Sequence, residues 1–198
     1  MHLNSELLFR KYALACVRCQ ARVLEIGPDT FPSTYQTIAG DSSIQWDTLD
    51  LHSHEKLTYR GVTEYSFPIP DEHYDIVLSG QVMEHVRKPW VWMKELARVC
   101  RVGGKVITIN PVSWPYHEAP VDCWRAYPEG MKALYEDANL KVLLSTAESL
   151  ETPHFKRYIP GRSRTKLRLI LRAAYSVLGT FGFPVEQAVD TITIGEKM

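Results

Sequence analysis

No run of 18 apolar residues occurs in the sequence, so no transmembrane helix is expected. Cysteine is scarce. Four residues, at positions 16, 19, 100 and 123, are too few for a disulfide scaffold, and a reducing cytoplasm is the expected setting. No charge of one sign dominates. The 23 basic and 23 acidic residues exclude a wholesale polybasic nucleic-acid binder and an acidic disordered tail. Met1 to Arg10 carries no apolar signal-peptide run, and there are no internal repeats or low-complexity tracts. What the chain does have is 198 residues, 45% of them hydrophobic and 11% aromatic, enough for a single domain over 1–198 with a real core.

The neutral total hides an asymmetry. From Thr152 to Val185 there is no acid, yet Lys156, Arg157, Arg162, Arg164, Lys166, Arg168 and Arg172 fall there. Within it, Leu167, Ile170, Leu171, Ala174, Leu178 and Phe181 recur at helical spacing, with Arg164, Arg168 and Arg172 in a row beside them. Residues 152–185 therefore read as a basic helical insertion before a last strand. Its 162–181 stretch is a candidate for weak contact with an anionic membrane surface, which would make a cytoplasmic protein membrane-peripheral.

Short apolar runs alternate with helical stretches, the pattern of a mostly parallel α/β sheet. Residues 5–19 read as a helix with Ser5 as N-cap, and 33–39 as a short helix stopped by Gly40. Strands are expected at 22–26, 44–51, 57–62, 74–78, 105–110, 140–144 and 190–195. Pro89 opens a helix that Gly103 and Gly104 end, Pro111 stops the strand after it, and 128–139 and 165–181 are further helices. Cys16 and Cys19, with no second pair, read as buried helix-face thiols.

Three segments bear chemistry. In Val23-Leu24-Glu25-Ile26-Gly27-Pro28-Asp29 a strand delivers an acid, then a glycine turn that lets a ligand approach the backbone. In Trp46-Asp47-Thr48-Leu49-Asp50-Leu51 an acid ends a second strand, where it can accept from both ribose hydroxyls, and Asp50 fits better than Asp47. Phe67-Pro68-Ile69-Pro70-Asp71 precedes Tyr74-Asp75-Ile76-Val77-Leu78-Ser79-Gly80-Gln81, and Glu84-His85-Val86 follows. In this order, with Arg101-Val102-Gly103-Gly104 before the next strand, the segments resemble the class I S-adenosylmethionine-dependent methyltransferases, particularly the type-11 group, over roughly residues 21–142. The segment Trp114, His117-Glu118-Ala119-Pro120, Asp122, Trp124-Arg125 and Tyr127-Pro128-Glu129-Gly130 is similar to a signature of glycan-associated members.

The resemblance implies a Rossmann-like seven-stranded sheet in the order 3-2-1-4-5-7-6, last strand antiparallel, with helices on both faces. It implies S-adenosyl-L-methionine as cofactor, contacted by Glu25, Gly27, Pro28, Asp29, Asp50, Leu51, Thr63, Glu64, Ser79, Gly80 and Gln81. Asp29 and Phe31 stand where the family has its second and third loop glycines, and Thr63, with Glu64 beside it, where it has an adenine-contacting acid. The expected reaction is O-methylation of a sugar or glycan-related intermediate. The alternatives are another small metabolite, such as a phenol or quinone, or a degenerate module that only binds. Histidine suits removal of an acceptor proton, so His85 and His117, with Asp122 orienting, are the expected catalytic residues. Trp114, Trp124 and Arg125 are the expected substrate contacts, since a guanidinium pairs bidentately with carboxylate or phosphate. No metal is expected. The weaker carboxylate–histidine alternative draws on Asp50, His52 and His54 with Glu84 and His85.

Overall fold

The computed structural model describes residues 3–60, 62–114, 116–117, 120–151, 177, 181 and 188–198. The central element is β3 (Tyr74–Gly80), whose near-continuous apolar run is buried on both faces, as a strand flanked by two parallel neighbours must be. It pairs with β1 (Arg22–Ile26) on one side and β4 (Cys100–Ser113) on the other, both parallel. β2 (Gln45–Leu49) adds outside β1, also parallel. β6 (Val189–Lys197) runs antiparallel between β4 and β5 (Leu140–Glu148). The sheet among the described residues thus has six strands in the order β2-β1-β3-β4-β6-β5.

This is the expected order without its third strand. At that place, among the described residues, only Tyr59 bridges to Leu49. Thr58 and Thr48 exchange side-chain-to-backbone hydrogen bonds beside it, and such local bonds compete with a continuous ladder.

Side chains alternate across the sheet into two cores. Leu24, Ile26, Val77 and Val106 face α3 (Pro89–Val99) and α4 (Pro128–Asp137), where Trp92, Leu96, Met131 and Tyr135 are buried. Val23, Ile76, Leu78, Ile107 and Ile192 face the opposite layer, with Leu8, Phe9 and Tyr35. That layer holds α1 (Leu3–Leu8) and α2 (Thr34–Ala39). α2 has the expected ends: Ser33 accepts from the Gln36 amide, and Gly40 takes the left-handed conformation.

Other local expectations give way to packing. The first helical stretch starts at Leu3, tightens and widens through a π-turn (Phe9–Ala13) and a 3₁₀ turn (Leu14–Cys16), and ends there. Ser5 is no cap: it is buried and hydrogen-bonds the Tyr35 hydroxyl at 2.6 Å. Cys19 lies past this stretch and is exposed, and Cys16 is only partly buried. α3 ends at Val99, before the two glycines, because Cys100 already pairs with Tyr74. Pro111 does not stop β4, which continues to Ser113 with a register shift that accommodates it. The helix expected at 165–181 lies outside the described residues, apart from exposed Val177 and Phe181. No helix among the described residues is long and apolar enough to cross a membrane.

Candidate active site

β1 continues to β2 on one side and β3 on the other, so strand order reverses there. A crevice opens beyond the carboxyl ends at such a switch point. A cleft of about 230 Å³ occupies it. The turn after β1 forms one wall. Gly27 adopts φ +70°, its amide donates to the Leu49 carbonyl at 2.9 Å, and a Cβ there would stand 2.4 Å from Val82 Cγ2. Only glycine satisfies both constraints.

The rest of that loop is ordered without further glycines. Asp29 is not left-handed. Its carboxylate accepts from the Thr34 amide (3.0 Å) and hydroxyl (2.7 Å), fixing the entry to α2. Burial pushes this carboxyl up, but the Thr34 bonds outweigh it and hold it below its usual range. Phe31 stacks on His54 at 4.6 Å, joining the β1 loop to the β2 loop.

Of the expected cofactor residues, Gly27, Asp50, Leu51, Glu64 and Gln81 line the cleft. Asp50 sits just past β2, accepting from the His52 amide at 2.8 Å. Glu64 accepts from the Arg87 amide, whereas neighbouring Thr63 donates to the Ser66 carbonyl and stays outside the cleft. Pro28 and Asp29 also lie outside it. Ser79 and Gly80 are buried behind it; a Cβ on Gly80 would stand 2.1 Å from the Tyr35 hydroxyl. Glu25 is buried behind the turn, where one carboxylate oxygen accepts from Ser33 Oγ (2.5 Å) and Trp46 Nε1 (2.7 Å). Burial, only partly offset by these donors, pushes its carboxyl up to about 7.

Residues that the sequence reading did not assign complete the cleft: apolar Ile26, Leu49, Val82 and Val86, aromatic Phe67 and Trp92, and Pro120. Phe67 and Trp92 read as ordinary core positions, because nothing local marks an aromatic that also faces a ligand. Asp190 was also missed. It is buried on β6 and accepts from Gln81 Nε2 (3.1 Å) and Asn4 Nδ2 (2.7 Å), clamping the left-handed Gln81 at the end of β3.

The loop after β4 is stitched onto the turn after β3. The Cys123 amide donates to the Glu84 carbonyl (2.7 Å), His85 Nδ1 to the Val121 carbonyl (2.5 Å) and Trp124 Nε1 to the Val86 carbonyl (2.8 Å). These bonds bring His117 against His85, rings edge to face at 5.0 Å. Because a carbonyl only accepts, the proton of neutral His85 is on Nδ1, and Nε2 carries the lone pair.

Arg125 grips Asp122 through two nitrogens (2.5 and 2.7 Å) and also reaches the Trp114 carbonyl. Asp122 accepts from the His117 amide, and its Oδ2 lies 3.4 Å from His117 Nδ1. The Arg125 guanidinium holds the Asp122 carboxyl at about 2, a charged anchor for the His117 amide. Trp124, packed edge-on against Trp90, and Arg125 both brace the loop. Glu84 is 1% exposed, and burial pushes its carboxyl up to about 8.

Residues 37–108 match the family described as methyltransferase domain, type 11. An uncharacterized methyltransferase of Mycolicibacterium vanbaalenii is 32% identical over 89 residues, 41% of this chain and 34% of that protein. The match therefore spans about a third of that relative's length. An S-adenosylmethionine-dependent methyltransferase from Archaeoglobus fulgidus superimposes with a TM-score of 0.64 at 15% identity, over 97% of this chain and 92% of its own. Phosphoethanolamine N-methyltransferase 2 of Haemonchus contortus, solved with S-adenosyl-L-methionine, gives 0.63 at 13% identity, over 98% of this chain and 52% of its own. At such identities the structural likeness speaks for the fold. The chain therefore has the fold of class I S-adenosylmethionine-dependent methyltransferases, and its residues 37–108 match the type-11 methyltransferase domain.

Proposed function

We propose that the chain transfers a methyl group from S-adenosylmethionine to an oxygen of a sugar or glycan-related intermediate. The observation that carries this reading is the switch-point cleft, where Gly27 and Asp50 share one space at adjacent strand ends. Asp50 would hold the ribose hydroxyls, the apolar side near Leu51 and Phe67 the adenine, and the lining by Gly27 and Gln81 the methionine end. Glu25 supplies a carboxylate behind the turn for the cofactor ammonium.

The acceptor end falls under the His117–Arg125 loop. In-line geometry supplies much of the acceleration for displacement at a sulfonium. A lone pair on the acceptor oxygen forms the new C–O bond as the C–S bond breaks toward sulfur, leaving a neutral thioether. The hydroxyl proton must also leave. The imidazole pair His85–His117 activates this hydroxyl, in the simplest form by accepting that proton, with Asp122 holding His117 in place. Trp114, Trp124 and Arg125 frame the acceptor. The acceptor class draws on the resemblance of residues 114–130 to glycan-associated members.

Calorimetry with S-adenosylhomocysteine tests the cofactor site. Mass spectrometry of products from a panel of sugar nucleotides, lipid-linked glycans, phenols and quinones tests the acceptor. No binding of the homocysteine product refutes the cofactor assignment. Methylation confined to phenols or quinones refutes the acceptor class.

A further inference from the structure

Glu84, His85 and His117 each offer a donor atom, and the three atoms lie within 4.8 Å of one another. Donors about 2.0–2.2 Å from one tetrahedral ion stand roughly 3.3–3.6 Å apart. Side-chain shifts of up to about 1 Å draw the set together. The surroundings are those of a ligand cluster. His85 donates Nδ1–H to the Val121 carbonyl, which leaves the lone pair on Nε2, 3.8 Å from Glu84 Oε1. His117 has the Asp122 carboxylate 3.4 Å from Nδ1, and Arg125 in turn fixes Asp122. Backbone carbonyls and carboxylates on the far ring nitrogen are what orient metal-bound histidines.

The second, independent observation is Glu84 itself. It is 1% exposed, and its Oε2 is buried with no hydrogen-bond partner among the described residues. A buried carboxyl oxygen left without a partner is costly, and a bound cation removes that cost. The amide oxygen of Gln81, which lines the same cleft as His85, is likewise buried and without a partner among the described residues.

We propose that Glu84, His85 and His117 bind one divalent transition-metal ion at the acceptor end of the cleft. Two imidazoles and a carboxylate favour a borderline ion of the zinc, cobalt or iron type over magnesium or calcium. The binding itself needs no cofactor. What the ion does there rests on the methyl-transfer reading. An acceptor hydroxyl coordinated to the ion loses its proton to a solvent water, and the resulting alkoxide attacks the methyl carbon as the C–S bond breaks toward sulfur. In that form His85 and His117 serve as ligands instead of proton acceptors.

The experiment titrates Co²⁺ into the full chain after chelator treatment, followed by visible absorption. Wild type is expected to saturate at one equivalent with a d–d spectrum lacking thiolate charge transfer. His85→Ala and His117→Ala weaken binding at least tenfold, and Asp122→Asn weakens it about 10–100-fold. His52→Ala and His54→Ala leave it unchanged. Circular dichroism checks the fold of each variant, and His117→Asn replaces any that fails. A chain that takes up no Co²⁺, a thiolate spectrum, or binding that survives loss of both His85 and His117 overturns the proposal. Wild type that binds S-adenosylhomocysteine but not Co²⁺ overturns the metal site alone. Wild type that binds Co²⁺ but not S-adenosylhomocysteine supports the metal site and refutes the cofactor assignment.

Discussion

Gly27→Ala brings two separable costs to one atom. The backbone at φ +70° is left-handed, which costs an L-residue about 1–2 kcal/mol. The added Cβ would also stand 2.4 Å from Val82 Cγ2, so one of the two must move. Overpacking of this kind costs about 1–3 kcal/mol. Gly27→Ala is therefore expected to destabilise by about 2–5 kcal/mol, read as a lower urea midpoint at unchanged slope. Val82→Ala removes the clashing methyl while leaving the dihedral cost. In the double variant the steric part should return and the left-handed part should remain, giving a coupling of about 1–3 kcal/mol in the cycle. Because Gly27 and Val82 both line the cleft, calorimetry with S-adenosylhomocysteine should show weakened binding in Gly27→Ala even where the fold survives. A Gly27→Ala chain within 0.5 kcal/mol of wild type, or a cycle with no coupling, would refute this account of the turn.

Glu25 makes stability depend on pH. Its folded value of about 7 lies above the ordinary 4.5, so its contribution is full below pH 4.5 and is lost as pH rises to 7, by about 3 kcal/mol. The difference between wild type and Glu25→Gln, measured by urea unfolding from pH 4.5 to 8, should shrink by that amount; a flat difference contradicts it. Asp50→Ala should weaken S-adenosylhomocysteine binding by about 1.5–3 kcal/mol, the worth of a charge-assisted hydrogen bond. Unchanged affinity in calorimetry would move the ribose contact elsewhere. Asp122→Asn breaks the ion pair with Arg125 and loosens the anchor of the His117 amide. Turnover should fall with S-adenosylhomocysteine affinity retained, and equal losses in both would make the loop part of the cofactor site.

Much of this protein was legible because its determinants are local. The apolar run of Tyr74–Leu78 can only be a strand covered on both faces. Ser33 and Gly40 bracket α2 as the capping chemistry of those residue types requires. Gly27 after one strand and Asp50 past the next mark strand ends that line one cleft. Tertiary structure decided the rest, since it depends on what each residue meets across the chain. Ser5 looks like a cap until Tyr35 packs against it. The third strand shrinks to one bridge because Thr48 and Thr58 bond each other first. Asp29 keeps the turn by accepting from Thr34, a role that no backbone preference of aspartate announces. Glu25 is held buried behind the turn because Ser33 and Trp46 donate to one of its carboxylate oxygens. Above all, His117 reaches Glu84 and His85 only because three hydrogen bonds tie the β4 loop to the turn after β3. Periodicity and turn chemistry act over a few residues, whereas the chemistry of this site depends on contacts made only when the chain closes on itself.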